Sequence, residues 1–348
     1  MTHSPDRRRW LNAAALALLA SPLAGQANAA ASAVKPFRIL AITFRGRTEV
    51  EKGFEEYFAA RKVPVEIIYR DIARDATKLP AILEEARALK PNLIYTWGTS
   101  VTLGVVGPFD GVAKDKHITD TPVVFTMVAA PIQAKIVEDR ASSRRNVTGV
   151  MHVVPTEAQM HAMSSYRPFQ TLGVLYTPTE RNSVVILEEI RRIGRDKGFH
   201  TVERTFRLDA NRQPIADGAA DLVRELKEGG AQWLYLPPDS FLGTQAEGLI
   251  VPAAMALGLP TFASTEQLMQ AGALSGLVAR YYSVGQFTAH KAEQILVAKV
   301  APSAIPVEAL KRFSYQIRMP AARALNLPPP LPMLGYAELI GNDKVPIL

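Results

Sequence analysis

Asn92-Leu93-Ile94-Tyr95-Thr96-Trp97-Gly98-Thr99-Ser100 begins as an uncharged, β-rich run and breaks at a glycine. Its apolar half has the composition of a strand buried on both faces, as strands of a parallel sheet are. Over 100–106 the pattern turns helical. A strand that passes at once into a helix leaves free backbone N–H groups at the helix N-terminus. Here two hydroxyls, those of Thr99 and Ser100, stand beside them. Such an end carries partial positive charge and suits a carboxylate or another anion. In open α/β sheets ligands bind beyond the carboxyl ends of strands, which is where Gly98 places this turn. The competing reading is an ordinary N-cap by Thr99 or Ser100 with nothing bound.

The same alternation extends in both directions. Before the turn, strands are expected at 37–44 and 65–69 and helices at 48–61 and 79–89; after it, a strand at 122–128 and a helix at 131–137. The rhythm pauses near 142–150 and restarts with a helix at 155–166. Strands at 171–176, 201–208, 233–236, 260–263 and 274–278 then alternate with helices at 180–197, 215–227, 246–257 and 266–270. Strand–helix alternation is the mark of a doubly wound parallel sheet, and two series of similar size predict an α/β protein of two Rossmann-like lobes. The lobes enclose a cleft lined by the carboxyl ends of both sheets. A helix at 283–299, a Pro-rich stretch at 301–307 expected to cross between lobes, a strand at 313–317 and a short helix at 321–325 follow. An extended tail containing Pro328-Pro329-Pro330 closes the chain.

Composition bounds the function. The 348 residues are 48% hydrophobic, enough for two cores, and carry a formal charge of +7. Charges of both signs are interspersed, with no clustered basic stripe for nucleic acid. Residues 1–30 have the form of a secretory signal: Arg7-Arg8-Arg9, an Ala/Leu-rich run over 11–23, and Ala27-Asn28-Ala29 as a small-residue cleavage site. Arg7-Arg8-Arg9-Trp10-Leu11 also resembles a twin-arginine signal, so either export route is open. The chain has no cysteine. It therefore has neither disulfides nor an N-terminal Cys for a lipid anchor, and a soluble periplasmic monomer is expected.

Five segments in order carry a family likeness. They are Asn146-Val147-Thr148-Gly149-Val150, Tyr176-Thr177-Pro178-Thr179-Glu180-Arg181-Asn182-Ser183, Pro237-Pro238-Asp239-Ser240, the run from Glu266 through Ala271-Gly272-Ala273-Leu274, and 313–327 with Ala321-Ala322-Arg323-Ala324-Leu325-Asn326-Leu327. Together they resemble the ABC-transporter substrate-binding proteins of the tryptophan/tyrosine-binding type. The resemblance implies a type I periplasmic-binding fold: two lobes joined by three crossings that close on a small solute, which an ABC permease then receives. On it, 35–150 with 281–305 form the N-terminal lobe and 151–280 with 306–348 the C-terminal lobe.

An α-amino acid asks a pocket for donors to its carboxylate, an acid for its ammonium and shape for its side chain. Gly98, Thr99 and Ser100 suit the carboxylate, as do Asn182 and Ser183 from the opposite wall. Asp239 is the candidate ammonium partner, with a helix N-cap as the equal alternative; Glu180 is a second acid, or simply a favourable helix-dipole contact. Phe44, Trp97, Tyr176, Tyr281 and Tyr282 lie near strand ends and offer aromatic walls. Two positions depart from the family pattern. Val128-Ala129-Ala130-Pro131 stands where many relatives carry Asp-Pro, leaving Ala129 in the cleft without charge. Arg280 stands where a Tyr-Gly step is common, and it allows a second carboxylate on the solute, hence an organic acid.

Nothing points to catalysis. His3, His117, His152, His161, His200 and His290 form no HExxH, and no GxSxG or GxxxxGK[ST] occurs. No cofactor or metal is expected. A periplasmic sensor that presents its liganded form to a membrane receptor uses the same lobe closure and stands as the alternative to transport.

Overall fold

Apolar runs of four to seven residues resolve into two sheets. A computed structural model describes residues 35–341; the expected export signal lies outside them. The first series is β1 (Phe37–Thr43), α1 (Glu49–Arg61), β2 (Val65–Asp71), α2 (Leu79–Leu89), β3 (Leu93–Trp97), α3 (Thr99–Val106), β4 (Val123–Val128) and β5 (Val147–Met151). The second runs α4 (Thr156–Tyr166), β6 (Thr171–Tyr176), α5 (Arg181–Lys197), β7 (His200–Thr205), β8 (Arg207–Leu208), β9 (Pro214–Ile215), α6 (Ala219–Glu228) and β10 (Trp233–Leu236). It continues through α7 (Ser240–Gln245), a π-helical turn (Ala246–Ile250), α8 (Val251–Ala256), β11 (Thr261–Ala263), α9 (Glu266–Gln270) and β12 (Ser275–Val278). Then come α10 (Tyr281–Leu296), β13 (Glu308–Ala309), β14 (Ser314–Arg318), α11 (Met319–Ala324) and β15 (Glu338–Ile340).

The first sheet has the order β13-β5-β4-β3-β1-β2 and the second β15-β14-β12-β11-β10-β6-β7. Each contains a doubly wound core whose order reverses once, between β1 and β3 in the first lobe and between β6 and β10 in the second. Such switch points open a crevice at the strands' carboxyl ends. β3 is buried at all five residues, between β1 and β4. Period-two alternation sends Ile94 to the face covered by α2 and α3, and Leu93 and Tyr95 to the face covered by α1 and α10. The second sheet is likewise packed on both faces. It departs from a purely parallel sheet at one edge, where β14 runs antiparallel to β12.

Two expectations fail for identifiable reasons. Residues 131–137 form a knot of turns: Ile136 N–H and Val137 N–H both donate to the Pro131 carbonyl, and Lys135 takes a left-handed φ of 61° that stops a helix. The Pro-rich stretch 301–307 does not cross between lobes. Thr148 Oγ donates to the Ile305 carbonyl at 2.7 Å, and buried Lys291 donates to the Pro306 carbonyl at 2.6 Å. β13 then pairs with β5. The chain therefore stays with the first sheet through Ala309, beyond the boundary expected at 305.

α1 and α10 cross backbone to backbone. A Cβ on Gly285 would lie 1.9 Å from the Val50 carbonyl oxygen, and one on Gly53 2.1 Å from that of Tyr282. Gly285→Ala must push the helices apart and is expected to destabilise the chain by about 1–3 kcal/mol through overpacking. An unchanged melting temperature would show that the crossing yields freely.

Candidate functional site

The loops beyond the strand ends meet across a cleft lined from both lobes. The first lobe contributes Phe44 and Arg45 after β1, Trp97 at the end of β3, Thr99 at the start of α3, Met127 from β4, Ala129 just after it, and His152 after β5. The second contributes Asn182 after β6, Pro238, Asp239, Ser240 and Gly243 after β10, and Thr265, Gln267 and Leu268 after β11. Tyr281 stands where the chain returns from β12 to the first lobe. Both switch points thus open into one space.

The first wall is built on the β3 turn. Gly98 takes φ 83°, a region that costs a residue with a Cβ, and its N–H donates to the Thr126 carbonyl at 2.9 Å. Gly98 is itself the N-cap of α3, and no side chain caps that helix. Thr99 reaches the cleft, whereas Ser100 is exposed outside it. Trp97, only 8% exposed, stacks on Phe44 with ring centroids 6.0 Å apart and 7° between planes. The Arg45 guanidinium lies 4.9 Å from the centroid of the Trp97 ring, close enough for a cation–π contact. Burial lowers the pKa of Arg45, and the Tyr281 hydroxyl beside it partly offsets this. Burial in turn keeps Tyr281 protonated, so it supplies no counter-charge. Glu51, whose field reaches Arg45, is engaged by the Tyr95 hydroxyl and by Thr48. Arg45 has no ion pair among the described residues.

Among the described residues, two buried nitrogens in the same wall also have no partner: Trp97 Nε1 and His152 Nδ1. Burial pushes the His152 pKa down to about 4, against the Val128 carbonyl and with help from the Arg45 charge. The imidazole is therefore neutral at pH 7, and its ring meets Tyr281 edge to face at 6.5 Å.

The second wall is organised by two acids whose oxygens are engaged within their own lobe. Asp239, 6% exposed, accepts from Thr177 N–H at 2.7 Å, Thr177 Oγ at 2.9 Å, Ser183 Oγ at 2.8 Å and Leu242 N–H at 2.8 Å. It is the N-cap of α7, the alternative role read from the sequence, and its bonds to Thr177 and Ser183 clip that helix to the start of α5. A carboxylate has about four acceptor sites, and all are taken. Glu180 accepts Ser240 N–H at 2.9 Å and Phe241 N–H at 3.0 Å at the same helix end. Ser183 is fully buried in the clip, and Asn182 donates to the Pro238 carbonyl.

Burial first, and the Asp239 charge second, push the Glu180 pKa up to about 7. The folded chain then holds a proton that the unfolded chain releases near the ordinary glutamate value. By linkage, this contribution to stability is lost as pH rises from about 4.5 to 7. His152 has the opposite sign, since its depressed pKa adds stability between about pH 4 and 6.5. Melting curves of Glu180→Gln against the parent chain isolate the first term: their difference should narrow toward low pH. A pH-independent difference would remove Glu180 as its source.

Other candidates lie elsewhere. Arg280 pairs with Glu266 at 3.5 Å and with Glu338, bracing β12 against β15. The Tyr282 hydroxyl donates to Glu56 at 2.7 Å on the outer surface, and Tyr176 packs into the second core. Tyr176, Glu180, Ser183, Arg280, Tyr282 and Ser100 therefore do not line the cleft, nor does Gly98 beyond shaping its turn. Reading strand ends missed Arg45, although it directly follows Phe44, and missed Met127, His152, Thr265 and Gln267. Among the described residues no cluster of three or more His, Asp or Glu is placed to hold a metal, and no helix is long and apolar enough to cross a membrane.

A tyrosine-binding protein of Clostridioides difficile (strain R20291) is 21% identical over 264 residues, 76% of this chain and 71% of that protein. Among solved structures, a conserved domain protein from Vibrio cholerae matches with a TM-score of 0.75 at 21% identity, covering 88% of this chain and 99% of that one. The ABC domain from Streptococcus pneumoniae in complex with L-Trp matches at 0.72 and 21%, covering 86% and 99%. These structures share the two-lobed type I fold. The family model described as ABC transporter substrate binding protein spans residues 46–338, from the loop after β1 into β15. On that match, this chain belongs to the ABC transporter substrate-binding protein family.

Proposed function

We propose that this chain is exported, captures a small carboxylate-bearing solute with a planar side chain between its lobes, and presents it as a monomer to an ABC permease. Arg45 carries the reading. A partly buried cation with no ion pair among the described residues, beside two buried nitrogens with no partner among them, is costly unless a ligand completes the set. Phe44, Trp97 and Tyr281 line the cleft around Arg45 and give it aromatic surface against which a planar group packs. The N-terminus of α3 at Thr99, uncapped by any side chain, adds donors to the same wall. Aromatic amino acids lead, since one relative is a tyrosine-binding protein and one structural neighbour holds L-Trp. Solute held by both walls favours the closed arrangement, which is what a permease reads. The Arg7-Arg8-Arg9 signal supports export.

Titration calorimetry and thermal melting with L-tryptophan, L-tyrosine, aromatic acids and sugars test this reading. Aromatic carboxylates are expected to raise the melting temperature by mass action. Binding of sugars alone would overturn it, and recovery of the chain only in the cytoplasm would overturn export.

A further inference from the structure

The two walls of the cleft are unequal in charge. On the first lobe, Arg45 stands over Trp97 with no ion pair among the described residues. On the second lobe the one acid that lines the cleft is Asp239, and four donors from its own lobe fill its oxygens. Glu180, the next acid along, spends its carboxylate on the first two N–H groups of α7 and does not reach the cleft. The remaining polar side chains of that wall are neutral: the amides of Asn182 and Gln267, each already donating to a carbonyl of its own lobe, and the hydroxyls of Ser240 and Thr265. A zwitterion bound here finds a cation for its carboxylate and no vacant carboxylate for its ammonium.

We infer that the cleft selects the carboxylate and the planar group of its solute and is indifferent to the α-ammonium. The substrate class is then aromatic alkanoates at large, with amino acids as one subset. This rests on the reading of the cleft as the solute site and narrows what that site recognises. The asymmetry follows from what each contact replaces. A carboxylate that meets Arg45 exchanges water for a charge that has no ion pair among the described residues. An ammonium meets neutral oxygens and trades one set of neutral hydrogen bonds for another.

A ligand triplet on one ring system separates the terms, using the full purified chain and calorimetry. L-tryptophan has both charges, indole-3-propionate lacks the ammonium, and tryptamine lacks the carboxylate. Indole-3-propionate is expected to bind within about tenfold of L-tryptophan, and tryptamine at least a hundredfold more weakly. The tyrosine series, with 3-(4-hydroxyphenyl)propionate and tyramine, should repeat the order if the second ring is accepted. Indole-3-propionate a hundredfold weaker than L-tryptophan would overturn the inference and leave the site in place. Tryptamine binding as well as the two acids would overturn it from the other side. Failure of every aromatic carboxylate would remove the cleft as their site, and the inference with it.

Discussion

Arg45→Gln is expected to weaken binding of an aromatic carboxylate by about 1.5–3 kcal/mol, ten- to a hundredfold and more in Kd. Glutamine keeps part of the aliphatic stem over Trp97 and a terminal amide, so the wall keeps its shape; what goes is the charge and the forked donor set. A charge-assisted hydrogen bond is roughly twice as strong as a neutral one, and here the water-poor setting beside Trp97 and Tyr281 limits screening. The free protein should respond in the opposite sense. An arginine serving as a structural brace lowers the melting temperature when replaced. Arg45 is half-buried without an ion pair among the described residues, so removing its charge should leave stability unchanged or raise it. Calorimetry and melting on one variant therefore distinguish a ligand contact from a brace. A fall in melting temperature with unchanged affinity would place Arg45 in the scaffold.

How far the sequence reached is clearest at the three turns that make the cleft. At 92–100 the uncharged run and the glycine were enough, because a strand buried on both faces and a positive-φ turn both leave local marks. Phe44 was legible as a strand end and Arg45 beside it was not. In the sequence, Arg45-Gly46-Arg47 reads as a solvated loop, and only the fold of that loop back over Trp97 buries the first arginine while leaving the second exposed. At Asp239 the sequence left two roles level, for a different reason. Its capping role needs a helix starting at Ser240, but the helical pattern was expected only from 246. Gly243 and Gly248 lower local helix propensity, and the π-helical turn between α7 and α8 breaks the 3.6-residue period. β13 and β15 span two and three residues, too short for periodicity to register, and they are held by partners distant in sequence.

Asp239→Ala is expected to cost about 3–5 kcal/mol of stability. Loss of a helix N-cap accounts for about 1 kcal/mol. The larger share comes from the donors left behind. Thr177 N–H and Ser183 Oγ are buried, and each donor stranded without an acceptor costs about 1–3 kcal/mol. One offset exists: with the Asp239 charge gone, Glu180 ionises more readily and holds the start of α7 better through Ser240 and Phe241. The same change should shrink the decline in stability between about pH 4.5 and 7, so the loss on Asp239→Ala is greatest at low pH and smaller near neutrality. Asp239→Asn keeps one acceptor oxygen and turns an NH₂ against a donor, which puts it between the parent and the alanine variant. Urea unfolding with an unchanged m-value would read these differences as shifts in midpoint. A loss below about 1 kcal/mol for Asp239→Ala would mean that its four contacts are replaceable by water. In that event the carboxylate is free to face the cleft, and the ammonium of a bound amino acid regains the partner that the second wall otherwise denies it.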